Sequence, residues 1–276
     1  MKKVILNNSV QMPIQGLGVF LVDNETTSTA VYTAIKNGYR LIDTAAIYDN
    51  EMGVGTGIKK AIEDGLVTRE ELFITSKVWN NHGNLEKTLQ AYRDSLSKLQ
   101  LDYLDLYLLH WPGNNQFIEP WKALEQIYLE NSVRAIGVCN FEVEHLENLL
   151  ANTEIIPAVN QIELHPKLQQ KNMTTFAKKH HIQIQAWAPL MQGGLFNDPT
   201  LLNIAEKHNR STAQIILRWH LQQEVIAIPK SIKEHRMIEN KSILDFELDA
   251  QDLDLISKLD CEERVGPNPK TYHFEL

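Results

Sequence analysis

Eight short apolar runs, each followed by a stretch of helical periodicity, constrain this chain more than any other feature. The runs lie at 15–20, 39–45, 71–78, 104–111, 133–140, 157–164, 182–188 and 225–230. Apolar residues at helical spacing follow at 25–37, 51–64, 84–99, 119–130, 142–150, 170–180, 201–221 and 233–241, with a last helical stretch at 249–259. Asn84 and Asp198 stand where N-caps belong, and Asn209 marks a break within the seventh helix. Repeated βα units require a parallel sheet covered by helices, and eight of them suffice to close a barrel.

Alternation alone would also suit an open, doubly wound sheet, so the polar residues must decide. Asp43, Lys77 and His110 each stand at the end of an apolar run, and Tyr48 lies just beyond one. An open sheet would gather such groups around one crevice at its switch point. A parallel barrel instead delivers every strand's C-terminal end to one face, where residues distant in sequence converge. The predicted fold is therefore α/β, an (α/β)8 TIM barrel. An N-terminal β-hairpin is expected over Lys3 to Pro13, and an irregular C-terminal loop, Arg264 to Lys270, is expected over one barrel face.

With 276 residues, 43% of them hydrophobic, the chain can bury one large core, and residues 1–276 are expected to form a single domain. The formal charge of −8 opposes attraction to phosphate backbones, and no dense basic stripe is present, which argues against nucleic acid as a partner. The apolar run near the N-terminus stops after three residues, Val4-Ile5-Leu6, and no stretch approaches membrane-spanning length. Cys139 and Cys261 form neither a CxxC pair nor a secreted disulfide framework. A cytoplasmic monomer without membrane partner or metal is the expectation.

Several motifs in fixed order carry a resemblance over essentially the whole chain. They are Asp43-Thr44-Ala45-Ala46-Ile47-Tyr48, Thr75-Ser76-Lys77, Leu109-His110-Trp111-Pro112, Gly137-Val138-Cys139-Asn140-Phe141, Asn160-Gln161 and Ile228-Pro229-Lys230-Ser231. The chain resembles the aldo-keto reductase family, and within it the bacterial members with short loops. The resemblance implies an NADPH-dependent carbonyl reductase with Asp43, Tyr48, Lys77 and His110 as the catalytic four.

The chemistry of those residue types supports the same reading. Reducing a carbonyl takes a hydride, which no side chain supplies, so a nicotinamide is required. It also takes a proton, which Tyr48 could donate if a nearby cation, Lys77, lowered its ordinary pKa of about 10. Asp43 would pair with the buried ammonium, and His110 would hydrogen-bond the carbonyl oxygen as charge grows on it. Taken singly, Asp43 reads as a turn or cap, Tyr48 as a surface aromatic, Lys77 as a solvated strand end and His110 as a satisfied core histidine. Their convergence on one face carries the argument.

For the cofactor, NADPH/NADP+, the resemblance implies Asn140 and Gln161 as partners of the carboxamide and Trp187 as the surface on which the ring stacks. Core packing is the competing reading for Trp187. Three positions depart from the family's usual pattern: Cys139 replaces Ser, Trp187 replaces Tyr and Ala188 replaces Ser. A thiol is a weaker donor than a hydroxyl, which weakens any contact from Cys139. Lys230, Ser231 and Arg236 resemble the pocket for the adenosine 2′-phosphate, with Glu239 and Asn240 placed to meet the adenine. Without the resemblance, Lys230 and Arg236 read equally well as a solvated helix start.

The run Gly53-Val54-Gly55-Thr56-Gly57 follows no strand and lacks the spacing of a dinucleotide fingerprint, so it is read as a surface for close helix packing. Glu51 is expected to brace the loop carrying Tyr48. Phe20, Trp79 and Trp111 flank strand ends and are candidates for an apolar substrate wall, with Tyr272, His273 and Phe274 completing its rim. Only ten residues separate His110 from Trp121, and the segment after the seventh strand is brief, whereas many animal relatives carry long loops there. The resemblance to the short-loop bacterial members therefore implies an open site and faster cofactor exchange than in relatives with a clasping loop. By resemblance the substrates are small aldehydes, α-dicarbonyls or keto-sugar acids.

Two rivals remain. A metal-dependent barrel hydrolase could use His110, Asp43 and His165, although no His-x-His pair closes any strand. A sensor or partner-binding protein could keep the NADPH site with little turnover, and only kinetics separates it from an enzyme. His180, His181, His208, His220 and His235 are assigned to the surface or to structure.

Overall fold

The chain begins with the hairpin β1 (Lys3–Ile5) and β2 (Gln11–Pro13), paired antiparallel as expected. The computed structural model describes residues 2–79, 83–113 and 116–272. Eight parallel strands follow in chain order: β3 (Leu17–Gly18), β4 (Leu41–Asp43), β5 (Phe73–Val78), β6 (Leu106–Leu109), β7 (Ile136–Cys139), β8 (Val159–Glu163), β9 (Gln183–Trp187) and β10 (Ile226–Ala227). The first and last meet, because Gly16 N donates to Ala227 O (3.0 Å) and Gly18 N donates to Pro229 O (3.3 Å). The sheet thus closes into the expected barrel. β10 is shorter than its apolar run predicts, in part because Pro229 has no N–H with which to extend the ladder.

The helices are α1 (Asn24–Lys36), α2 (Glu51–Glu63), α3 (Leu85–Leu99), α4 (Ile118–Leu129), α5 (Val143–Asn152), α6 (Lys171–Lys179), α7 (Pro199–His208), α8 (Thr212–Gln222), α9 (Glu234–Lys241) and α10 (Ala250–Ser257). Asn84 and Asp198 accept backbone N–H bonds at the starts of α3 and α7. Asn209 ends α7 in the left-handed region (φ 51°), and a Ser211–Gln214 capping box starts α8, so the predicted break is real. The glycine run is a packing surface. A Cβ on Gly53 would lie 2.3 Å from Asn24 O of α1, and one on Gly55 2.3 Å from Leu99 O of α3.

Two apolar layers hold the barrel. Trp121, Leu124, Ile215 and their neighbours fill the space between strands and helices. Leu41, Phe73, Leu106, Val159 and Ile226 fill the interior, where Leu6 and Met12 of the hairpin join them and plug the N-terminal end. Each such side chain contributes roughly 1.5–3 kcal/mol when fully buried. At the same end Asp105 is wholly buried and saturated. It accepts from Arg69 Nη2 (2.8 Å), Arg134 Nη1 (2.8 Å) and the backbone N–H of Ile74 (2.9 Å).

The C-terminal tail crosses the opposite end, as expected. Arg264 Nη2 bonds Glu142 Oε1 (3.0 Å), Lys270 Nζ bonds Glu144 Oε1 (2.6 Å), and the Tyr272 ring lies 4.9 Å from that of Trp111. His273 and Phe274 lie outside the described residues. Among the described residues no helix is long and apolar enough to cross a membrane.

Candidate active site

Three strands and one short loop bring the four predicted side chains together. Asp43 closes β4, Lys77 is the fifth residue of β5, His110 follows β6, and Tyr48 ends a 3-10 turn over Ala46–Tyr48. Lys77 is wholly buried among three oxygens: Nζ donates to Asp43 Oδ1 (2.6 Å), Thr44 O (2.8 Å) and Tyr48 Oη (3.5 Å). The Tyr48 and His110 rings stand edge to face at 5.6 Å. Burial disfavours the ammonium of Lys77, but the adjacent Asp43 carboxylate outweighs that effect and raises its pKa, so it remains charged. Burial raises Asp43, and Lys77 and Gln161 oppose the shift. His110 is held well below the ordinary imidazole value by burial and by Lys77, which leaves a neutral ring at pH 7.

Tyr48 departs from expectation. Lys77 does pull its pKa down, but desolvation is the larger effect, and the phenol is pushed up to about 12. The hydroxyl therefore stays protonated throughout the neutral range.

The loop carrying Tyr48 is also braced by a different residue from the one predicted. Asn50 holds it, accepting from Thr44 Oγ1 (2.7 Å) and donating to Val19 O (2.8 Å) and Val22 O (2.9 Å). Glu51 turns instead toward β5 and accepts from Ser76 Oγ (2.6 Å), beside Lys77. The two side chains leave the start of α2 in opposite directions, a difference that adjacent sequence positions conceal.

The predicted carboxamide partners adjoin this pair. Gln161 spends both amide hydrogens inside the protein, on Asp43 Oδ2 (2.7 Å) and Gln185 Oε1 (3.0 Å), while its carbonyl faces Cys139 Sγ at 3.7 Å. Asn140 Nδ2 donates to His110 O (3.0 Å) and Cys139 Sγ (3.2 Å). Trp187 Nε1 donates to Asn140 Oδ1 (2.7 Å), so the indole orients the amide next to it. Burial pushes the Cys139 thiol up, so it is no thiolate.

The second corner lies beyond β10. Lys230 and Arg236 are exposed, and neither makes an ion pair among the described residues. Ser231 is buried and accepts from Lys233 N (3.2 Å) at the start of α9. Two free cations and a hydroxyl at a helix start suit a dianionic phosphate. Glu239 is half-buried and Asn240 buried, and the carbonyl of Asn240 receives Gln15 Nε2 (2.6 Å). The exposed cations here suit the phosphate end of a 2′-phosphorylated nicotinamide dinucleotide, and at the other end the carbonyl oxygens of Gln161 and Asn140 are the groups that suit a carboxamide NH2.

The aromatic candidates gather around the same face. Phe20 lies 4.9 Å from the Tyr48 ring and is half exposed, Trp79 stands edge-on to His110 at 5.2 Å, and Trp111 packs on Tyr272. Among the described residues no group of three or more His, Cys, Asp or Glu is arranged to hold a metal. His165, a residue of the rival reading, turns away to Glu163 Oε1 (3.1 Å). Two residues of this network had no role in the sequence reading, Gln185 and Glu163. Both alternate with apolar neighbours along a strand, a signal that could have marked them as inward-facing.

Residues 20–260 match the model of the aldo/keto reductase family. The glyoxal reductase of Bacillus subtilis is 59% identical over 98% of this chain and 97% of its own length. The methylglyoxal reductase DkgA of Escherichia coli is 44% identical over 95% of this chain and 94% of its own. A solved aldo-keto reductase of Bombyx mori in complex with NADP superposes with a TM-score of 0.92 at 34% identity, covering 99% of this chain and 97% of that one. This chain belongs to the aldo-keto reductase family.

Proposed function

We propose that the chain is an NADPH-dependent reductase of small aldehydes and α-dicarbonyls of the glyoxal and methylglyoxal type, with keto-sugar acids a further substrate class. One observation carries the reading. A phenol stands 3.5 Å from a buried ammonium that is itself 2.6 Å from a carboxylate, with a neutral imidazole at the phenol's edge. NADPH, when bound, supplies the hydride.

The chain's own residues do the rest. His110 and the Tyr48 hydroxyl hydrogen-bond the carbonyl oxygen, fixing which face is attacked. As negative charge grows on that oxygen, the Tyr48 proton moves to it, because an alkoxide is a far stronger base than a phenolate. Lys77 stabilises the resulting phenolate, and Asp43 keeps Lys77 charged and aimed. Gln161 and Asn140, whose amide hydrogens are spent inside the protein, offer their carbonyl oxygens to the carboxamide NH2. Trp187 backs the ring, and Lys230, Ser231 and Arg236 hold the 2′-phosphate, with Glu239 and Asn240 beside the adenine. Phe20, Trp79 and Trp111 exclude water around the carbonyl.

The reading makes residues 1–276 one cytoplasmic enzyme unit, in keeping with its acidic balance and two free cysteines. The test is NADPH oxidation by the purified protein with methylglyoxal, with NADH in parallel. Substrate-dependent oxidation that prefers NADPH supports the reading. NADPH binding without oxidation of any carbonyl in a panel of aldehydes and α-dicarbonyls would overturn it in favour of a sensor.

A further inference from the structure

Glu163, the last residue of β8, is a wholly buried carboxylate for which the chemistry above has no use. Its oxygens are filled almost entirely by the C-terminal tail. Oε1 accepts from Val265 N at 2.6 Å, Oε2 accepts from Gly266 N at 3.2 Å, and Arg264 Nη1 approaches Oε2 to 4.0 Å. His165 Nε2 lies 3.1 Å from Oε1. A buried carboxylate is tolerated only while donors satisfy it, so lifting the tail would cost Glu163 both of its backbone N–H bonds and leave His165 as its remaining partner among these.

The seating has a consequence at the site. It presses residue 266 against Trp187 so closely that a Cβ there would lie 2.3 Å from Trp187 Cη2, and glycine is therefore required. Trp187 in turn holds Asn140 Oδ1 (2.7 Å), and Asn140 Nδ2 holds the carbonyl of His110 (3.0 Å). One unbroken line of contacts runs from the tail to the peptide that carries His110.

We propose that Glu163 is a positioning residue, which latches the tail behind Trp187 and so fixes the nicotinamide end of the cofactor site. The inference rests on the cofactor placement proposed above. It assigns Glu163 an effect on cofactor affinity and on the order of the tail.

The test pairs amide hydrogen exchange at Val265 and Gly266 in the protein without cofactor with NADPH titration followed by tryptophan fluorescence. Glu163→Ala is expected to lose protection at both amides and to weaken NADPH binding about tenfold. Glu163→Gln, which keeps one acceptor oxygen but turns an NH2 toward the other tail amide, is expected to recover protection at one of the two amides and part of the NADPH affinity. Should Glu163→Ala fail to fold, Gly266→Ala, which leaves the carboxylate in place and displaces the tail from Trp187, is expected to weaken NADPH binding about fivefold. Protection unchanged in Glu163→Ala, or NADPH affinity within about twofold of wild type in either variant, would overturn the latch. Failure of the wild-type protein to bind NADPH would instead sink the cofactor placement, and the latch with it.

Discussion

The two ends of the barrel each bury an aspartate against cations, and they satisfy it differently. Asp105, at the end plugged by the hairpin, takes two guanidinium bonds and a backbone N–H, all at 2.8–2.9 Å, with no group left over to react. Asp43, at the end crossed by the tail, holds a single ammonium at 2.6 Å, and that ammonium reaches on to a phenol at 3.5 Å. Beside them His110 Nδ1 is buried with no hydrogen-bond partner among the described residues. A saturated pair contributes rigidity, whereas an ion pair whose cation also faces a hydroxyl can stabilise a phenolate. The same residue chemistry serves the fold at one end and the reaction at the other.

The sharpest way to break this comparison is Tyr48→Phe. It should bind NADPH normally and keep the wild-type unfolding midpoint while kcat for methylglyoxal falls by about 10²–10⁴. Near-normal turnover would remove Tyr48 from its role.

Next in size is Asp105→Ala, which takes the carboxylate from the mostly buried Arg69 and the acceptor from Ile74 N, while the partly exposed Arg134 turns to solvent. Urea unfolding should show a loss of about 2–4 kcal/mol, with turnover per folded molecule unchanged. A change in kcat without loss of stability would reverse the assignment of the two ends.

A smaller effect concerns the outer corner. Lys230→Ala combined with Arg236→Ala should raise the KM for NADPH about tenfold and leave that for NADH unchanged, since exposed charge-assisted bonds are weakened by solvent. Equal effects on both cofactors would mean that these side chains do not meet the 2′-phosphate.

The smallest effect is on pH. His110 is depressed below its ordinary value, so it gains a proton only as pH falls well below the usual imidazole range, and Tyr48, raised to about 12, loses its proton only far above neutrality. Profiles of kcat for reduction should therefore stay flat within about twofold from roughly pH 6.5 to 9. A fall in kcat through pH 8 would show that Lys77 lowers the phenol more than burial raises it.

Much of this was legible in the chain. The eight apolar runs located the strands, because parallel strands covered on both faces read as short continuous hydrophobic stretches. Asp43, Lys77 and His110 stood out because polar groups ending such runs must converge in a barrel. What escaped was direction and cross-strand contact. Asn50 and Glu51 are neighbours that point opposite ways, Gln185 meets Gln161 only across β8 and β9, and Glu163 meets residues 265 and 266 a hundred positions later. The balance on Tyr48 was also hidden, since sequence reveals a nearby cation more readily than the degree of desolvation.

The difference between the two ends is tested most directly by Asp43→Asn combined with Lys77→Met, measured for both unfolding free energy and NADPH-dependent turnover. Removing both charges together leaves no stranded ion, so stability should stay within about 1–2 kcal/mol of wild type or rise, while turnover is lost. A protein that lost several kcal/mol yet kept its turnover would contradict the account, because the upper pair would then serve the fold and not the reaction.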